Sequence, residues 1–270
     1  MLPDAYLLEI VSTVWKIIAT AGFVIIVGRL AWSAGPLLTS IIVALPVNIG
    51  PGLFLISLTE DSAFIVESAL HGLAGGAAVS IFIVSFVRAA SFTKFYIALS
   101  VGLICWGLAS WFILDVNLTT KKALILVAIG IISAYIFLPR SSRKTERVAA
   151  PASWNFLFKR GVLAGVIITS IVLGAPFLGA GMAGILLSFP TTLCITGWML
   201  QAYYGIEFVA VTYRAASRAL ILYFAFCLGV IFLAPIISGP LAIILSFILV
   251  ASLGAVFGYI MIRLGRSVYG

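Results

Sequence analysis

The chain has 270 residues, of which 63% are hydrophobic and 9% charged, and its mean hydropathy is +1.27. That composition excludes an ordinary soluble domain, and at roughly 20 apolar residues per membrane crossing it leaves no length for a soluble catalytic domain. The net charge of +8 would suggest nucleic acid in a soluble protein; here the basic residues sit in short loops between apolar runs, so they read as topology signals and no nucleic-acid partner is expected.

In chain order, apolar spans are predicted at about 7–30, 35–58, 64–88, 93–114, 122–139, 160–177, 180–202, 207–233 and 237–262, which is nine helices grouped four, one, four. The segment before the first, Met1-Leu-Pro-Asp-Ala-Tyr-Leu-Leu-Glu9, lacks the basic start of a signal peptide, so the first helix is expected to stay. Lys16 in that span either lies near mid-membrane, with Glu9 as partner, or snorkels from a helix that starts later.

The second and seventh spans share a peculiarity. Gly35-Pro-Leu-Leu-Thr-Ser-Ile-Ile-Val-Ala-Leu-Pro46-Val-Asn48 and Gly179-Ala-Gly-Met-Ala-Gly-Ile-Leu-Leu-Ser-Phe-Pro190-Thr-Thr192 each place a proline eleven residues after a small-residue start, and the two stretches lie 144 residues apart. An interior proline removes a helix hydrogen bond and clashes with the preceding turn. In hydrocarbon the freed carbonyl needs protein or water beside it. Both spans are therefore predicted to be discontinuous. Pro46, Asn48, Pro190, Thr191 and Thr192 become candidate substrate-binding residues near mid-membrane. The alternative is that the threonines repair the broken backbone and Asn48 bonds a neighbouring helix.

In the third span Glu67 and His71 are four residues apart on one helix face. They read either as a proton-coupling pair, since histidine titrates near neutrality, or as a helix-end ion pair beside Glu60 and Asp61. Cys105, Cys194 and Cys227 are odd in number, lack a CxxC spacing and lie in apolar segments, so they read as small core residues. After the fifth span, Arg140-Ser-Ser-Arg-Lys-Thr-Glu-Arg147 through Lys159-Arg160 carries six positive charges against Glu146. That loop is placed in the cytoplasm. Counting spans outward from it puts the N-terminus outside, the C-terminus inside and thirteen of sixteen basic residues on the cytoplasmic side, the exceptions being Lys16, Lys121 and Lys122.

This count divides the chain into a first four-helix membrane repeat at 1–118, a linker helix and basic cytoplasmic loop at 119–154, and a second four-helix repeat at 155–270. Four spans return the chain to its starting side and the fifth crosses once more, so the second repeat should be inverted. Under the 144-residue shift Arg29, Arg88 and Lys94 fall on the uncharged Leu173, Phe232 and Ser238.

In the eighth span Arg214 and Arg218 share a face. They would either clamp a phosphate or carboxylate beside the broken helix or snorkel to the cytoplasmic interface with Glu207 near, leaving Tyr203, Tyr204 and Tyr213 as interface aromatics. Gly75, Gly76, Gly179, Gly181 and Gly184 read as helix-packing residues.

Ala183-Gly-Ile-Leu-Leu-Ser-Phe-Pro-Thr191, then Tyr204-Gly-Ile-Glu207 and Val211-Thr-Tyr-Arg-Ala, resembles the central part of the GlpM family of small four-helix inner-membrane proteins. Cys105-Trp-Gly-Leu-Ala-Ser-Trp111 resembles that family's closing helix, while Thr39-Ser-Ile-Ile-Val-Ala-Leu-Pro46 departs from it in having Thr-Ser for Ala-Gly. The resemblance implies two fused, inverted copies of such a unit in a bacterial inner membrane. The family is associated with expression of glycerol-3-phosphate dehydrogenase, which implies no molecular activity.

The expectations that follow are an all-α integral membrane protein, not an enzyme, with no cofactor or metal site. Its function would be that of a small secondary transporter or flippase-like permease for a small anionic or phosphate-bearing molecule. The partners expected are membrane lipids, a small anionic solute or lipid head group, and a second copy in a homodimer. The alternative is a non-transporting scaffold or accessory subunit of a membrane complex.

Overall fold

A computed structural model describes residues 4–33, 46–138 and 154–263. The described residues form eight helices: α1 (Asp4–Ser33), α2 (Ile49–Ile56), α3 (Ser62–Ala89), α4 (Phe95–Asp115), α5 (Thr120–Phe137), α6 (Trp154–Leu187), α7 (Thr191–Leu233) and α8 (Gly239–Arg263). All but α2 contain a stretch long and apolar enough to cross a membrane, seven in total, a set that fits a polytopic membrane protein. Residues 34–45, the loop at 139–153 with most of the basic cluster, and Arg266 lie outside the described residues, as do the side chains of Asp4, Glu9 and Tyr203.

Two glycines divide the long helices. Gly179 in α6 has φ 78° and Gly205 in α7 has φ 77°, so each joins two helical arms through a left-handed residue. Of the two remaining predicted spans, 180–202 is shared between the second arm of α6 (180–187) and the first arm of α7 (191–204), with a break at 188–190. Span 35–58 is described only from Pro46 onward, where a turn leads into the eight residues of α2.

The expectation that Gly179 serves packing is corrected. A Cβ there would meet nothing within 4 Å, so the glycine is needed for its backbone angle. The other four hold packing places. A Cβ on Gly184 would strike the main-chain oxygen of Ser68, one on Gly181 would come 3.0 Å from the His71 ring, one on Gly75 would meet Ser188, and one on Gly76 would press on Tyr223 and Phe224.

Helix α3 is the centre of the molecule. It is buried along most of its length, and α4, α5, α6 and α7 pack around it. Its run of Gly72, Ala74, Gly75, Gly76, Ala77 and Ala78 explains this, because in lipid close approach of backbones takes the place of the hydrophobic effect. Asp61 caps α3, its carboxylate accepting from the Phe64 N–H at 2.8 Å, and Thr119 caps α5, accepting from the Lys122 N–H at 3.3 Å. The outer helices α4 and α5 expose Trp111, Phe112, Tyr135 and Ile136, as lipid-facing helices do.

Three pairs of segments, each related by the 144-residue offset, meet one another. In the first, α1 crosses the first arm of α6. Gly161 faces Ala21 and Ile25, while Gly165 faces Ala21 and Ile17, so the two run antiparallel. In the second, α3 crosses the second arm of α7. Gly72 accepts from the Tyr223 hydroxyl at 2.9 Å, while Phe82 and Phe86 stack on Tyr213, so these too run antiparallel. The third pair is the two breaks, described below. The arm 206–233 begins and ends 144 residues after α3, and α8 begins 144 residues after α4.

Candidate functional site

Proline sets the local structure at both breaks. Pro190 has no N–H to continue the α6 ladder. The chain closes that helix with Ser188 N–H on the oxygens of Gly184 and Ile185 and Phe189 N–H on Leu186 O at 3.0 Å. Thr191 N–H then turns back to Phe189 O at 2.7 Å, and α7 begins with Cys194 N–H on Pro190 O at 2.9 Å. At the other break Gly50 N–H bonds Pro46 O at 3.0 Å and opens α2, whose third residue, Pro51, is tolerated because first-turn N–H groups have no intrahelical partner.

The two helix starts meet. Thr192 donates its hydroxyl proton to the side-chain oxygen of Asn48 at 2.9 Å, across 144 residues of sequence. A half-open cleft of 150 Å³ lies beside this bond, lined by Pro46, Asn48, Pro190 and Thr192 together with apolar residues of α3 and α7. Four of the five break residues nominated from sequence are thus brought to one place. The fifth, Thr191, is buried next to them, its hydroxyl reaching Phe189 O at 3.4 Å.

The cleft is poor in polar side chains. Among the described residues only Ser188 and Tyr223 contribute them besides Asn48 and Thr192, and both spend their hydroxyl protons on main-chain oxygens, Ile185 at 2.6 Å and Gly72 at 2.9 Å. No charged side chain among the described residues lines it. Neither Asn48 nor Pro190, the residues at the two helix starts, makes a side-chain cap. Among the described residues the main-chain N–H groups of Thr192 and Leu193 find no acceptor, and both residues line the cleft. A helix N-terminus with open N–H groups, as at the start of α7, creates a positive potential without a cationic side chain.

The arginines lie elsewhere. Ala216, Leu220 and Tyr223 line the cleft from α7. At 100° per residue Arg214 and Arg218 fall roughly 180° around the helix from that stripe. Arg214 is half-buried with its Nε unpartnered, and Arg218 is exposed. Tyr213, offered as an interface aromatic, is instead a core residue, 1% exposed, donating to Leu193 O at 2.6 Å.

His71 and Glu67 do not meet through their side chains. The buried His71 ring bonds the Glu67 main-chain oxygen through Nδ1 at 3.0 Å, and the Glu67 carboxylate is exposed. A carbonyl can only accept, so Nδ1 carries the proton and Nε2 is the basic nitrogen, beside Gly181. Lys16 is half-buried within the apolar part of α1. Among the described residues no group of three or more His, Cys, Asp or Glu lies together.

Sequence reasoning missed Ser188, Leu193 and Tyr223 as cleft residues. Tyr223 and Val79 are counterparts under the 144-residue shift and both line the cleft, but nothing in the sequence marked either one. Comparison with family models, with characterised proteins and with solved structures finds no match.

Proposed function

We propose that this protein is a small secondary transporter or flippase-like permease, built as a 4+1+4 inverted repeat of nine spans, whose substrate site is the cleft at the paired breaks. The observation that carries the reading is the Asn48–Thr192 bond between corresponding residues, with uncapped helix starts on both sides. Antiparallel crossing of corresponding helices supports the inversion. Discontinuous helices with their N-termini at the centre of such a repeat are what transporters use to hold anionic groups. A small anionic or phosphate-bearing molecule is therefore still the substrate class favoured, recognised by main-chain N–H groups rather than by Arg214 and Arg218. The bacterial inner membrane, an outside N-terminus with a cytoplasmic C-terminus, and descent from a duplicated GlpM-like unit complete the reading.

The test is flux of phosphate-bearing compounds in proteoliposomes, with Asn48→Leu as the site variant. Substrate-dependent flux reduced at least fivefold by that substitution supports the proposal. The small size of the cleft favours one competitor, a non-transporting scaffold or accessory subunit; stable co-purification with a partner and no flux of any probe would establish it.

A further inference from the structure

We infer that the cleft takes an amphiphile: a phosphate-bearing lipid whose head group meets Asn48 and the first turn of α7 while its chain lies along Val79, Ile83 and Leu220. This deepens the permease reading and rests on it. The head end is a donor site. Thr192 occupies the Asn48 oxygen, leaving the Asn48 amide N–H₂ to donate, and the Thr192 and Leu193 main-chain N–H groups, which find no acceptor among the described residues, add two more donors. Donors held at helix starts match phosphate oxygens. Apart from the Ser188 and Tyr223 hydroxyls, whose protons are already donated to main-chain oxygens, the described remainder of the wall is apolar and offers a hydrophilic solute little to replace its water. A volume of 150 Å³ is that of roughly five waters. It holds a phosphate and the start of a chain, and the open side of the cleft must then let the remaining chain reach the bilayer.

A lipid head group and a free phosphate ester share this chemistry, so the experiment separates them. The full chain is reconstituted in phosphatidylcholine vesicles carrying a trace of tail-fluorescent phosphatidylglycerol, and transbilayer movement is read by reduction of the fluorophore from outside. Parallel vesicles carry a glycosyl diacylglycerol with the same labelled tail and no phosphate, and a third set measures uptake of glycerol 3-phosphate and inorganic phosphate. The expected result is movement of the labelled phosphatidylglycerol at least tenfold above protein-free vesicles and above the glycolipid. Asn48→Leu at the head end and Leu220→Trp at the chain end should each reduce it at least fivefold. Asn48→Ser and Leu220→Phe serve if either of those fails to fold by size exclusion and thermal melting. Uptake of the soluble phosphates without lipid movement would overturn the amphiphile and leave the permease standing. Equal movement of the glycolipid, or lipid movement that no cleft variant alters, would also overturn the inference. Movement of no probe at all would overturn the permease reading itself.

Discussion

The hydroxyl of Thr192 lies 2.9 Å from the side-chain oxygen of Asn48, joining the start of α7 to the start of α2. A half-buried hydrogen bond of this kind contributes about 0.5–1.5 kcal/mol. In a double-mutant cycle, Asn48→Ala and Thr192→Val should therefore couple by about 1 kcal/mol in the unfolding free energy measured in detergent. Simple additivity to within about 0.3 kcal/mol would show that the two side chains do not bond in the membrane protein.

The antiparallel crossing of α1 and α6 has a chemical test. A Cβ on Gly165 would lie 3.1 Å from that of Ala21, a few tenths of an ångström inside the roughly 3.5–4.5 Å of a disulfide, so a small separation of the helices brings the pair into bonding range. With Cys105, Cys194 and Cys227 replaced by serine, the pair Ala21→Cys and Gly165→Cys should cross-link within one chain under mild oxidation, seen as a mobility shift reversed by reductant. The pair Ala21→Cys and Ser170→Cys, with an exposed position on α6, should not.

Two glycine substitutions should separate packing from helix propensity. Gly184→Ala drives a methyl group into the Ser68 main-chain oxygen, and backbone cannot rotate away as a side chain can; the expected loss is about 2–4 kcal/mol, the range of a badly overpacked core. Gly107→Ala enters open space on α4 and should be neutral or stabilising by up to about 1 kcal/mol. Melting temperatures of the two variants that moved together would contradict this assignment.

Arg214→Ala and Arg218→Ala should leave flux within about twofold of wild type, because both lie across the helix from the Ala216–Leu220–Tyr223 stripe. A loss as large as that of Asn48→Leu would return them to the substrate site.

The break at Pro190 was legible in the sequence because proline cannot carry on a helix. The equal context of Pro46, whose preceding residues lie outside those described, exposes the 144-residue offset that the Asn48–Thr192 bond spans. Gly179 was not legible. A glycine that lets backbones approach and a glycine that takes a left-handed angle look alike until the dihedral is known. The placing of Arg214 and Arg218 needed helical phase, since only the residues lining the cleft reveal which face of α7 is turned toward it. Tyr213 was misread because aromatic residues near a span end usually mark the interface; here the arm 206–233 packs Tyr213 onto Phe82 and Phe86, and the α7 turn supplies an acceptor for its hydroxyl.

The seam between α1 and α6 bears on biogenesis. α1 leaves the ribosome well before its chief neighbour, which starts at Trp154, 121 residues after Ser33. At ordinary synthesis rates that is a wait of roughly 10 s. Through that interval the buried Thr20 and the half-buried Lys16 face lipid or whatever insertion machinery shields them, so α1 must wait in the membrane for the helix that covers it.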